Sequence, residues 1–281
     1  MTHTHPSART AGRPVRIGRR TALALTAASI CGLFAFAWPL IGAANSTAIT
    51  HASETPWLFA VLLPLVIVVV LADLADGGLN AKGIALIGVL SAVAAALRPF
   101  GGGHAGFEPM WIVIILGGRV LGPGAGFGIG AIGMFASALL TGGVGPWLAF
   151  QMIAAGWVGL IAGLLPRATG RRELVLLAGY AAVACIAYGF LLNLWFWPTV
   201  TISGTLPESI SFMPGAGFAT NIGHWLRFCV ATSLGFDIPR AVLTVILILV
   251  AGRPILNALR RASRRAAFDV PVEFTPARSA I

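Results

Sequence analysis

Residues 117–133 read GGRVLGPGAGFGIGAIG, and the fold turns on how this stretch is interpreted. Gly128, Gly130 and Gly133 satisfy GxGxxG, the dinucleotide-binding pattern. That pattern carries chemistry only between a strand and the phosphate-binding start of a helix. Here long apolar runs lie on both sides, so the match is accidental and the reading is steric. Gly118, Gly122, Gly126 and Gly130 recur every four residues, which describes one helix face without side chains. In lipid, helices associate by close backbone approach across such faces. Gly122-Pro123-Gly124 reads as a tight turn between the two helices of a hairpin.

Outward from this hairpin the chain is apolar throughout. Of its 281 residues 57% are hydrophobic and 10% charged, and the mean hydropathy is +0.89. Soluble domains carry roughly 25% charged residues. A bilayer crossing needs about 20 apolar residues, and eight spans are expected: 21–43, 57–74, 83–97, 108–120, 124–140, 147–165, 174–197 and 238–251. The fourth is short, so it must continue through the glycines or lie shielded by its neighbours. Cys31, Cys185 and Cys229 show no metal-ligand spacing and read as small buried hydrophobes.

The net charge of +10 sits in clusters between apolar runs, which argues against nucleic acid. Sixteen of the 19 basic residues fall on one side of the predicted topology, and only Arg98, Arg227 and Arg240 on the other. The positive-inside rule then places both termini in the cytoplasm of a multi-pass plasma-membrane protein. The first span, though preceded by basic residues, is long for a signal peptide and reads as a retained anchor. The outward loops are 45–56, 98–107, 141–146 and 198–237.

Catalytic signatures are missing. There is no phosphate loop, no HExxH, no GxSxG and no carboxylate pair within a span. The expectation is a protein that is not an enzyme and has no catalytic residues, metal or cofactor. The polar and aromatic chemistry gathers in the outward segments instead. RPFGGGHAGFEPM (98–110) supplies Arg98, Phe100, His104, Phe107 and Glu108, with Trp111 beyond it. Residues 144–152 supply Trp147 and Gln151, and the seventh span ends with Asn193, Trp195 and Trp197. FATNIGHWLRF (218–228) adds Asn221, His224 and Trp225, and has helical spacing. Phe218, Ile222, Trp225 and Cys229 fall near one face, and Asn221, His224 and Phe228 near another. Apolar and aromatic clefts with a few placed polar groups are typical ligand sites. Singly, the tryptophans also suit an interfacial belt, Arg98 a snorkelling anchor and Glu108 a helix cap.

On the third span Gly88, Ala92 and Ala96 repeat the four-residue spacing, for internal packing or for docking another membrane protein. Residues 83–100, 107–152 and 233–261 together resemble the substrate-specific S components of energy-coupling factor (ECF) transporters. The resemblance implies an all-α membrane fold: a six-helix core (82–255) after a basic tail (1–20) and two extra helices (21–81), with a basic tail after it (256–281). It also implies a subunit of an ABC-type importer that captures a vitamin outside the cell. Its partners would be a membrane scaffold (T) subunit and two cytoplasmic ATPase (A) subunits. By that resemblance Gly88, Ala92 and Ala96 dock the scaffold and 98–110 closes over the vitamin. The subgroup most resembled is assigned to cobalamin or its precursors, although aromatic loops suit flavins and pterins equally, and an imidazole of His104 or His224 would suit a corrinoid's metal. Two rivals are a stand-alone secondary transporter, for which the spans offer no coupling carboxylate, and a membrane enzyme acting on lipid, for which the acids look scattered.

Overall fold

The structure, a computed structural model, describes residues 18–41, 64–65, 67–69, 71–72, 81–101, 106–201 and 206–267. Among these residues there are eight α-helices and no strand: α1 (Arg19–Ile41), α2 (Ala81–Leu97), α3 (Met110–Leu121), α4 (Pro123–Thr141), α5 (Leu148–Leu164), α6 (Gly170–Thr201), α7 (Phe218–Phe228) and α8 (Leu234–Ala267). His104, most of the expected second span, loop 45–56 and both chain ends lie outside the described residues.

The hairpin of α3 and α4 forms as its sequence dictates. The Gly122 N–H donates to the Gly118 carbonyl, 3.0 Å away, and closes α3. Gly122 then takes φ 99°, a conformation costly for any residue with a Cβ, and Pro123 begins α4 with its φ preset. The glycines do not form one helix face, however, because the turn divides them between two helices. Gly118 and Gly126 instead converge on Gly159 of α5, and a Cβ at either would overlap the Gly159 carbonyl oxygen. Gly130 meets Ala155 in the same way, and Gly163 meets Pro123. Backbone therefore packs on backbone along α4 and α5, as lipid-embedded helices require.

Among the described residues five helices are long and apolar enough to cross a membrane, and Met110–Leu121 and Leu148–Leu164 are shorter apolar helices. At 12 residues, α3 spans only about 18 Å. It is tolerated because its neighbours cover it: Trp111, Ile114, Ile115 and Leu116 are all fully buried. Around it α2 lies along α4, α6 along α8, and α1 packs on α5, α6 and α7.

One segment departs from expectation. The span expected at 238–251 is only the middle of a longer helix, and most of the loop expected at 198–237 is helical. A π-helical turn, Cys229–Ser233, joins α7 directly to α8, while α6 runs on through Pro198 to Thr201. On α7 Asn221 and Phe228 are buried, Ile222 and Trp225 pack partly against the core, and Phe218 is exposed. Cys185 and Cys229 are buried free thiols as expected, but Cys31 faces outward from the bundle.

Candidate functional site

At one end of the bundle, helices far apart in sequence bring four charges together. Glu108, just before α3, accepts hydrogen bonds from the Trp111 indole at 3.0 Å and from Arg240 Nε at 2.9 Å. Arg98, at the end of α2, lies 3.9 Å from the same carboxylate. The other side of Arg240 donates to Asp237 at 2.6 Å, and Ser233 donates to Asp237 at 2.7 Å. The guanidinium also lies over the rings of Tyr188 and Trp111, 5.3 and 6.0 Å from their centroids. Gly189 makes this possible, since a Cβ there would overlap the Asp237 carboxylate. Two acids and two arginines balance, which lets Asp237 and Arg240 stay buried. The acids are thus less scattered than the sequence suggests, and Asp237 sits within a helix long and apolar enough to span. The segment after α2 is held down at the same place: Gly106, at φ 74°, lies so close to the Phe236 carbonyl that no side chain would fit.

Beside this cluster, α5 and α6 enclose an aromatic cleft of about 410 Å³ lined by Trp147, Gln151, Leu192, Asn193, Trp195, Phe196 and Thr199. Leu192, Trp195, Phe196 and Thr199 follow the i, i+3, i+4, i+7 spacing of one helix face. Trp147 and Gln151 are one turn apart on α5. No charged side chain lines the cleft. Two polar atoms in its walls, Gln151 Oε1 and Trp195 Nε1, are buried without a hydrogen-bond partner. Such atoms are uncommon and costly in a folded protein, and both are shielded from the cleft itself by neighbouring atoms.

The expected site residues divide into groups. Trp147, Gln151 and Asn193 meet in the cleft, where the Asn193 amide also contacts Cys229 Sγ at 3.3 Å. Arg98, Glu108 and Trp111 belong to the charged cluster. Phe100 and Phe107 are exposed, while His104 lies outside the described residues. Trp197 points to the opposite face of α6, where its indole donates to the Ile210 carbonyl at 2.7 Å. Asn221 clasps its own loop, accepting from the Met213 N–H and donating to the Met213 carbonyl. His224 Nδ1 lies 2.8 Å from the Ser211 carbonyl. Trp225 stacks edge-on against Phe190, and its own Nε1 is buried without a partner. Trp195, gathered from the sequence with Asn193 and Trp197, lines the cleft with Leu192, Phe196 and Thr199, whereas Tyr188, Asp237 and Arg240 were not among the expected site residues. Among the described residues no group of three or more His, Cys, Asp or Glu gathers to hold a metal.

The opposite end of the bundle carries arginine. Arg119 of α3 and Arg260 of α8 both donate to Glu173 of α6, at 2.8 and 2.6 Å, and Arg119 also caps the Leu165 carbonyl. Between the two ends, α2 turns Ile87, Ser91, Ala94 and Ala95 inward. Gly88, Ala92 and Ala96 lie on its outer surface, and a Cβ at Gly88 would meet nothing within 4 Å. Internal packing therefore does not account for this stripe. Among the described residues the helix that precedes the core, α1, packs on α5, α6 and α7 and not on this stripe.

Comparison with curated proteins and with solved structures finds no match. The model of one protein family, the ECF transporter substrate-specific component, matches residues 82–252, more than half of the chain. With its apolar helical bundle and that match, the chain belongs to the substrate-specific components of ECF transporters, membrane subunits that associate with T and A subunits and take a small-molecule substrate.

Proposed function

We propose that this subunit captures a vitamin-class micronutrient from outside the cell in the Trp147–Gln151–Asn193–Trp195 cleft and delivers it inward with an ATP-driven T and A module. The carrying observation is the uncharged aromatic cleft, walled by Trp147, Trp195 and Phe196 with Gln151 and Asn193 among them. The complementary ligand is a flat ring that stacks on indole, with few polar groups and no charge where it touches the cleft. At about 410 Å³ the cleft is near the lower end of the ~300–1,000 Å³ usual for small-ligand pockets. That size favours a ring of flavin or pterin size, or the benzimidazole-type precursor of cobalamin, over a corrin macrocycle.

The orientation rests on charge. Arg119, Arg167, Arg171, Arg172 and Arg260 lie at the end opposite the cleft, and basic residues favour the cytoplasmic side, so the cleft opens outward. The exposed stripe of Gly88, Ala92 and Ala96 is the face offered to the scaffold. Stand-alone secondary transport is less well supported, because Glu108 and Asp237 are already paired with Arg240.

The test begins with mass spectrometry of whatever small molecule co-purifies with the protein, followed by titration of that compound into the isolated subunit. Tight binding is expected, with no concentrative uptake by proteoliposomes that hold this subunit alone. Uptake driven by an ion gradient in those proteoliposomes would overturn the proposal.

A further inference from the structure

We infer that α1, which precedes the family-matched region, buttresses the wall of the cleft from behind, and that Phe36 is a positioning residue for Trp195. This rests on the cleft being the ligand site. A simple anchor would expose its whole surface to lipid, but α1 buries Ala24, Leu25, Ala28, Ala35, Phe36 and Leu40 along one stripe. Its contact with α5 is close and specific. A Cβ at Gly32 would lie 2.9 Å from Ile153 Cγ2, so a larger residue would have to push the Ile153 and Trp157 side chains aside. One turn earlier, Ser29 Oγ accepts a hydrogen bond from the Trp157 indole at 3.0 Å, a polar link across two helices in an apolar setting.

One turn later, Phe36 enters the bundle. It is 1% exposed, with its ring centroid 5.1 Å from Phe150 at 70° and 5.8 Å from Trp157. Fully buried Phe150 in turn lies 5.8 Å from Trp195, and Trp195 lies 6.2 Å from Trp147. Four rings therefore run without a break from α1 to the cleft wall. The Trp195 indole N–H is unpartnered, so ring packing rather than a hydrogen bond sets its orientation. In a close-packed interior, removing Phe36 lets Phe150 retreat and Trp195 follow. The cleft would then widen and its polar edge would turn.

The test uses the full chain in nanodiscs, labelled with fluorotryptophan, with the Trp195 signal in ¹⁹F NMR assigned through Trp195→Phe. The binding panel is riboflavin, pteroic acid, cobinamide and a benzimidazole riboside. Phe36→Ala is expected to shift the Trp195 resonance and to weaken the best-bound panel member by about three- to tenfold, the size of one aromatic pair. Phe36→Leu should recover most of both effects, and it carries the test if the alanine variant does not fold. Phe34→Ala, on the exposed side of the same helix, should change neither. An unmoved Trp195 resonance in a folded Phe36 variant overturns the inference, as does an equal shift from Phe34→Ala. If no panel member binds the unsubstituted protein, the cleft reading is what fails, and the Trp195 resonance still decides whether α1 positions this wall.

Discussion

Arg240 and Glu108 stand 132 residues apart in sequence and 2.9 Å apart in the fold. Their pair ties the N-terminus of α3 to α8, and Arg240 holds Asp237 with its other side. Removing the cation leaves buried Asp237 without a cation and part-buried Glu108 with only Arg98, 3.9 Å away, whereas removing Glu108 leaves Arg240 still paired. Arg240→Leu is therefore expected to destabilise the protein by about 3–5 kcal/mol. Glu108→Gln should cost only about 1–3 kcal/mol. Lysine would not substitute well at this position, since it cannot present a planar fork to two carboxylates. Thermal unfolding of the purified variants in nanodiscs checks the order; equal losses for the two would show that Asp237 contributes nothing.

Glycine content makes a second prediction, with a control built into the same protein. Gly126 touches Gly159 backbone to backbone, whereas Gly88 faces open space. Gly126→Leu should drive α4 from α5 and cost more than about 3 kcal/mol, beyond the usual overpacking penalty because the obstacle is main chain. Gly88→Leu should leave the melting temperature of the isolated subunit unchanged.

How far the fold was legible depended on the length scale of each signal. The hairpin at Gly122–Pro123 and the spans are local patterns of composition, and a chain in lipid has few other ways to satisfy its backbone. The continuity of α7 with α8 was hidden because Arg227, Asp237 and Pro239 interrupt the apolar run by which a span is recognised. Burial of Asp237 depends on Gly189 and Arg240, which no local pattern connects to it. The site was legible as a neighbourhood and not as a set of contacts. Trp195 and Trp197 are two residues apart on a helix, so they face nearly opposite directions. Only one reaches the cleft, and tryptophan content alone does not say which.

The arginine end supplies a third test. Glu173 is nearly fully buried and serves two cations of unequal exposure, with the Arg119 side chain 8% exposed and that of Arg260 40%. Arg260→Ala should therefore cost at most about 1 kcal/mol, as for a pair open to solvent. Glu173→Gln strands Arg119 in a dry setting and should cost about 3 kcal/mol. The same unfolding measurements decide, and a larger effect from Arg260→Ala would reverse the assignment of the buried pair.

The cleft makes a fourth prediction. Gln151→Leu removes the amide from the cleft wall, and Trp195→Phe keeps one aromatic ring but removes the pyrrole half of the indole. Each should weaken the co-purifying ligand by about three- to tenfold, because the wall then no longer matches the ring it stacks against. Trp197→Phe should spare affinity, since its indole already serves Ile210. Calorimetric titration of the three variants checks this, and a ligand indifferent to both cleft substitutions would have to bind elsewhere.

The last prediction separates binding from assembly. The outer surface of α2 carries Gly88, Ala92 and Ala96, and none of these is needed to hold the bundle together. If that surface meets the scaffold by close helix approach, bulk there should act only on the complex. Ala92→Leu with Ala96→Leu is expected to leave ligand affinity and melting temperature unchanged in the isolated subunit. The same pair should abolish co-purification with the T and A subunits and stop uptake in cells that express all of them. The inward face provides the contrast: Ala94→Leu overfills the contact with Gly133 of α4 and should lower stability before it affects assembly. An intact complex carrying both surface leucines would place the scaffold on another helix.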